Sequence, residues 1–217
     1  HGHYDHTGGL AEVLKLPGEP AVYVHPLALQ PKYTISSAGR ARRIGIPQHC
    51  LDRLEKLGAR LVLTRSPVEV APGVWLTGEI PRSNSFEDTG GYFYLDGNLS
   101  ARDPLLDDQA LFVRLPEGPL VILGCAHAGT VNTLEFIAQL TGSETIYAVA
   151  GGTHLAGATE QRIEATLEAL ERFQVKILRP CHCTGVTALC EFSRRLGPRA
   201  GDFPAGSSLT FGEKAVL

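Results

Sequence analysis

The 217-residue sequence lacks methionine and has no long hydrophobic run. No apolar stretch reaches the roughly 18 residues that span a bilayer, and no signal peptide is visible, so we expect no membrane association. The five cysteines form no regular framework, which argues against a disulfide-stapled secreted domain and favours a cytoplasmic location. The formal net charge of -3 gives no reason to expect nucleic-acid binding.

The composition is that of a globular protein. Apolar residues make up 43% of the chain and charged residues 20%, which is enough to bury a core in one domain or in two fused halves. We expect a natural beginning that precedes His1, because the chain lacks methionine and opens inside a motif.

A strand–loop–helix rhythm occupies the second half of the chain. The apolar segments LVILGCAH, TIYAVAGGTH and VKILRPCHC each read as a strand that ends near a histidine and leads towards a helix. In open α/β sheets, ligands bind outside the carboxyl ends of the strands. We therefore expect one rim to carry His127, His154 and His182.

The opening motif HGHYDH concentrates metal-binding side chains in six residues. In an extended segment, residues i and i+2 point the same way, so His1 and His3 can hold one ion together. Asp5 and His6 follow directly and can hold a second ion beside the first. Imidazole and carboxylate ligands suit zinc, iron or manganese.

The cysteines allow competing interpretations. In a strand, Cys181 and Cys183 would point one way and His182 the other, so the three cannot easily share an ion and the two thiols are expected to pack in the interior. Cys125 is either a buried thiol or a ligand between two metals.

Other histidines and a basic segment carry weaker signals. His154 is either a ligand or a residue behind the ligands, whereas His25 and His49 are expected to be ordinary surface or hydrogen-bonded core residues. Residues 30–46 predict either a solvated loop or an anion-binding lid. The lid would use Lys32, Arg40, Arg42 and Arg43.

The pattern H-x-H-x-D-H followed by T-G-G resembles the metallo-β-lactamase superfamily. The segments GCAHAG, GGTHL and PCHCTG resemble its dihydropteroate-synthase-related, or dihydropterin ribofuranosyl-aminobenzene phosphate synthase-like, branch. The resemblance covers nearly the whole chain. It implies an α/β fold, a four-layer αββα sandwich forming a single domain over residues 1–217, with strands expected before His1 and a dinuclear metal site at one edge of the sheets.

The resemblance also implies a ligand set. The first ion would take His1, His3 and His127, and the second would take Asp5, His6 and His182. His154 is an additional candidate. The sequence departs from the commoner pattern at Gly124-Cys125, where most members carry a bridging aspartate, so the bridge is Cys125, a water alone or absent. The histidine that usually falls near GEIPRSN is also missing.

The implied activity is that of a metal-dependent hydrolase. Two divalent ions, zinc or alternatively iron or manganese, would hold a hydroxide that attacks an ester, phosphoester or lactone in a small-molecule substrate. Asp5 would also be catalytic, by orienting the proton of that nucleophile. Glu79, Arg82 and Glu87 are candidates for contacting a substrate, phosphorylated in the case of Arg82, or else for a structural turn with a surface ion pair.

Two other functions are consistent with the sequence. One is a di-iron oxygen or nitric oxide reductase, although this chain shows no flavin partner domain. The other is a non-catalytic metal-binding or sensing protein. The sequence makes no prediction of oligomeric state.

Overall fold

The computed structural model describes residues 1–18 and 20–211. The strands in chain order are β1 (Val22–Val24), β2 (Tyr33–Ile35), β3 (Ala41–Arg43), β4 (Leu61–Leu63), β5 (Val68–Ala71), β6 (Val74–Leu76), β7 (Phe93–Tyr94), β8 (Leu111–Val113), β9 (Leu120–Leu123), β10 (Ala148–Gly152) and β11 (Ile177–Cys181). The α-helices are α1 (Tyr4–Thr7), α2 (Leu10–Val13), α3 (Gln48–Leu54), α4 (Thr130–Thr141), α5 (Glu160–Arg172) and α6 (Val186–Leu196). Short 3-10 helices span Pro26–Leu29, Glu55–Arg60 and Gly197–Arg199.

The largest sheet has six strands in the order β11-β10-β9-β8-β6-β5. β9, β10 and β11 are parallel, whereas β8, β6 and β5 continue the sheet in antiparallel fashion. The register pairs Gly151 with Leu123 and Gly152 with Cys181. The carboxyl ends of the three parallel strands therefore meet at one edge, as the strand–loop–helix rhythm predicted.

Helices α4, α5 and α6 pack on one face of this sheet. Alternate side chains of β9 point to that face: Val121 and Leu123 are buried in the main core, whereas Ile122 points the other way and is exposed. The helices contribute periodic apolar faces to the same core. Their buried core residues are Leu134, Ile137, Ile163, Leu167, Leu170, Ala188, Phe192 and Leu196.

The first third of the chain forms a second, smaller core. Cys50 and Leu54 of α3 pack there with Ala11 and Ile46, next to the parallel pair β1–β4. A three-stranded antiparallel sheet, ordered β3-β2-β7, stands beside this core. The basic segment predicted as a loop therefore forms a β-hairpin. In the described part of the chain, no helix is long and apolar enough to cross a membrane.

Candidate metal centre

The first set of candidate ligands consists of three imidazoles. His1 and His3 come from the N-terminal segment, and His127 follows strand β9. The ring centroids are 4.4 Å apart for His1 and His3, 4.6 Å for His1 and His127, and 5.2 Å for His3 and His127. One nitrogen from each ring lies within 4.8 Å of the others. Residues more than 120 positions apart thus converge on one point, as the resemblance implied.

The second set adjoins the first and contains Asp5, His6, Cys125 and His182, whose candidate ligand atoms again lie within 4.8 Å of one another. His6 Nε2 is 3.1 Å from Cys125 Sγ, and His182 Nε2 is 3.4 Å from Asp5 Oδ2. The rings of His1 and His6 are 4.5 Å apart, so the two sets are immediate neighbours. Cys125 also lies close to His127 and His154 and so belongs to two candidate ligand groups. The prediction that it is a ligand between two metals therefore stays a prediction.

The electrostatics favour neutral rings that offer lone pairs. Burial lowers the pKa of His3 to about 3 and that of His127 to about 4. Burial also lowers the pKa of His6. The Cys125 thiol has its pKa raised by its hydrogen bond with Cys183 and by burial, but a coordinating metal deprotonates such a thiol outright.

Four buried nitrogens of the first set have no hydrogen-bond partner within the described residues, although His1 Nδ1 lies 3.6 Å from Asp108 Oδ1. His1 Nδ1 and Nε2, His3 Nε2 and His127 Nε2 make no hydrogen bond. Leaving a buried polar atom unsatisfied costs about 1–3 kcal/mol, so such atoms in a native protein call for an explanation. A metal ion at their common point supplies it, and imidazole, carboxylate and thiolate together are ligands that zinc accepts. The residues present therefore fit a bound metal ion.

All three strand ends turn through a left-handed residue. Ala126, His154 and His182 have φ values of 57°, 49° and 55°, which cost an L-amino acid energy. Strained backbone of this kind clusters at functional sites. The turn at His182 also breaks the strand alternation, so the predicted interior packing of Cys183 is wrong: its thiol lines the same cleft as His182. Cys181 is half-buried.

The backbone of residues 89 and 90 orients two of these histidines. His127 Nδ1 donates to the Thr89 carbonyl at 2.7 Å, which fixes the tautomer that leaves Nε2 free for a metal. His154 Nε2 lies 3.3 Å from the Gly90 carbonyl. A side chain at Gly90 would overlap His154, since its Cβ would lie only 1.9 Å from His154 Cδ2.

The same segment is anchored at its start. Asp88 Oδ1 accepts from Arg162 Nη1 at 2.6 Å, and the Arg162 side chain is buried. Glu87 accepts from the backbone N–H groups of Val131 and Asn132 at 2.8 and 2.9 Å, which satisfies the N-terminus of α4. The Glu87–Gly90 segment thus ties α4, α5 and two histidines together.

A buried charge cluster holds the N-terminal motif. Lys32 Nζ, fully buried, donates to Asp103 Oδ2 at 2.7 Å and to Asp107 Oδ1 at 2.9 Å. The other Asp107 oxygen accepts from the Gly2 N–H at 2.8 Å, between His1 and His3. The predicted use of Lys32 in an anion-binding lid is wrong, because both of its neighbours are already carboxylates.

The three predicted substrate-contact residues have structural partners instead. Each oxygen of the buried Glu87 carboxylate accepts a backbone N–H of α4. Glu79 accepts from His25 Nε2 and Arg65 Nη1 at 2.8 and 2.7 Å, and it does not line the cleft. Arg82 donates to the carbonyls of His127, Pro104 and Leu105. The alternative prediction, a structural turn with an ion pair, describes this segment better.

The predictions for the two remaining histidines are confirmed. His25 is buried and hydrogen-bonded, and His49 is exposed. Sequence reasoning missed Lys32, Asp103, Asp107 and Arg162 as supports of the centre. Nothing in the local sequence signals these roles, because each residue meets its partner only across more than 70 residues of chain. Asp108 accepts from the Ala128 N–H at 2.7 Å.

The cleft beside both ligand sets has a volume of about 270 Å³. Its floor includes Asp5, Cys125 and His182, and one wall comes from the β3-β2-β7 sheet. Asp5 and His182 are the more exposed members of the second set, with side chains 42% and 38% exposed. A small molecule in this cleft would meet the second set first.

Comparisons with known proteins agree with this geometry. The family model described as the metallo-beta-lactamase superfamily matches residues 1–136. A Methanocaldococcus jannaschii protein named 7,8-dihydropterin-6-methyl-4-(beta-D-ribofuranosyl)-aminobenzene-5'-phosphate synthase is 32% identical over 199 residues, 87% of this chain and 65% of that protein. The chain thus spans just under two thirds of that relative. The uncharacterized protein MJ0448 of the same organism is 30% identical over 197 residues, covering 89% and 70% of the two chains.

One solved structure is also similar. Tm1679, described as a metal-dependent hydrolase of the beta-lactamase superfamily, aligns with a TM-score of 0.79 at 32% identity. The alignment covers 98% of this chain and 78% of that one.

Proposed function

Because the chain belongs to the metallo-β-lactamase superfamily and matches its fold, we propose that it is a hydrolase whose cleft holds two metal ions. The observation that carries the proposal is the convergence of buried imidazole nitrogens that make no hydrogen bond within the described chain. One ion would be held by His1, His3 and His127. The other would be held by Asp5, His6, Cys125 and His182.

The bound ions would supply a water of lowered pKa and polarise the substrate. The chain's own residues prepare that chemistry. The Thr89 carbonyl holds the proton of His127 on Nδ1, away from the ligand cluster. Asp5 is partly exposed to the cleft, and its carboxylate can orient the proton of an attacking water. The substrate would be a small molecule with an ester, phosphoester or lactone bond.

The ligand chemistry favours zinc. The second set includes a thiol, and thiolate ligands favour zinc over magnesium or manganese. The di-iron alternative would instead be supported if the purified protein contained iron and bound a flavin protein. A non-catalytic role would be supported by full metal occupancy without turnover of any substrate tested.

The test combines elemental analysis with a substrate panel. Protein purified without chelators is expected to carry two zinc ions per chain and to hydrolyse at least one ester, phosphoester, thioester or lactone. His3→Ala and Asp5→Ala should lose metal and activity together. His49→Ala, a matched control at an exposed histidine, should keep both. Turnover that survives in the His3 and Asp5 variants would overturn the proposal.

The name of the M. jannaschii relative favours a second candidate. That protein is called a synthase of a phosphorylated ribofuranosyl-aminobenzene pterin compound, so this chain could join rather than cleave. The same metal-loaded protein would be assayed for formation of that compound by mass spectrometry. Product formation with no hydrolysis across the panel would favour the synthase.

A further inference from the structure

The wall of the cleft formed by the β3-β2-β7 sheet presents an ordered row of side chains. Thr34 pairs directly with Arg42 on one side and with Phe93 on the other. Directly paired residues of neighbouring strands point to the same face, and all three side chains line the cleft. The row therefore runs along the wall as Phe93, Thr34, Arg42.

One end of this row touches the candidate metal centre. The Phe93 ring lies 5.0 Å from the His3 ring and 5.2 Å from the His127 ring, measured between centroids. Neighbouring strands are about 4.8 Å apart. The backbone of Arg42 consequently lies about 10 Å along the wall from that of Phe93, at the end away from the first ligand set.

The Arg42 guanidinium is exposed and has no ion pair or hydrogen bond in the described part of the chain. Three other arginines are occupied: Arg82 by three carbonyls, Arg162 by Asp88, and Arg102 by the rings of Tyr92 and Tyr94. Arg43 is also exposed, but it is the next residue on the strand and points to the opposite face.

We propose that Arg42 forms a subsite for a phosphate group carried by the substrate, set apart from the bond that the metal centre acts on. A guanidinium presents paired donors that match phosphate oxygens, and a charge-assisted bond of this kind is stronger than a neutral one. Phe93 and Thr34 lie between the metal centre and Arg42 and would contact the body of the molecule. The substrate class is thus a phosphorylated small molecule with its reactive bond remote from the phosphate. The proposal rests on the proposed function only in taking this cleft as the substrate site.

The test measures binding rather than turnover. The zinc-loaded protein is titrated calorimetrically with ribose 5-phosphate and with ribose. Ribose 5-phosphate should bind more tightly than ribose, and Arg42→Gln should weaken its binding by about tenfold or more. Arg43→Gln is the matched control on the same strand and should change the affinity by less than about twofold. Zinc content should be equal in all three proteins.

The outcomes separate this proposal from the proposed function. If Arg42→Gln binds ribose 5-phosphate as the parent does, the phosphate is held elsewhere, and the subsite is wrong even if hydrolysis is observed. Equal weakening by the Arg42 and Arg43 substitutions would show only a general effect of positive charge and would also overturn it. A protein that binds ribose 5-phosphate through Arg42 but hydrolyses nothing retains the subsite and loses the hydrolase.

Discussion

Replacing Lys32 with methionine tests whether the buried charge cluster supports the N-terminal motif. The substitution keeps the length of the side chain and removes the ammonium that lies 2.7 Å from Asp103 and 2.9 Å from Asp107. All three side chains are almost completely buried. Breaking a buried ion pair by removing one partner costs about 3–5 kcal/mol, because the remaining charge is left uncompensated. Lys32→Met should therefore lower the free energy of unfolding by about that amount.

The chain provides a matched control for this measurement. Lys15 Nζ contacts Glu12 at 2.6 Å, but both side chains are exposed. An exposed pair contributes about 0–1 kcal/mol, so Lys15→Met should leave stability almost unchanged. Lys15 contacts one carboxylate group and Lys32 contacts two, so the difference between the variants reports the burial of the pair together with the second carboxylate.

The assay is urea unfolding of the metal-free protein, followed by zinc titration of the folded fraction. Asp107 also fixes the Gly2 N–H between two candidate ligands. Weakening residues behind a metal's ligands typically costs 10–100-fold in metal affinity, and we expect a loss in that range for Lys32→Met. If Lys32→Met unfolded within about 1 kcal/mol of the parent and bound zinc equally well, the cluster would have no supporting role.

Three further predictions concern the surroundings of the centre. Arg162→Met removes the anchor of Asp88 and should weaken zinc binding by about tenfold. The measurement is a competition titration with a chelator, and an unchanged zinc affinity would contradict the prediction. Gly90→Ala places a Cβ against His154 at a φ of 72°; it should destabilise the protein by about 1–3 kcal/mol in thermal unfolding, and an unshifted melting temperature would refute the clash. Burial lowers the pKa of His3 from 6.5 to about 3, so below pH 6.5 the unfolded state binds a proton that the folded state does not. The metal-free protein should therefore lose on the order of 2 kcal/mol from this ring between pH 7 and pH 5, and a flat stability profile over that range would contradict the lowered pKa.

The sequence predicted the ends of the parallel strands and the grouping of ligands well. Histidines placed after apolar strands converge because the carboxyl ends of parallel strands share an edge, and the H-x-H-x-D-H spacing is short enough for local geometry to set it. His127, His182 and the opening motif accordingly lie together in the structure, although their role as ligands remains a prediction.

The residues that hold the candidate ligands in place could not be predicted from the sequence. Lys32 looked like one more cation of a basic segment, since its partners Asp103 and Asp107 are about 70 residues away and only the fold brings them together. Glu87 looked like a substrate contact because nothing local shows that the N-terminus of α4 lies over it. The prediction for Cys183 failed for a different reason. It assumed the alternation of side chains in a regular strand, and the left-handed turn at His182 ends that alternation.

The most direct test of the central claim is an anomalous difference map at the zinc edge from crystals of the zinc-loaded protein. We expect two peaks in the cleft, each within about 2.0–2.3 Å of its ligand atoms. One peak should be surrounded by His1, His3 and His127, and the other by Asp5, His6, Cys125 and His182. A single peak, or zinc bound away from these residues, would contradict it.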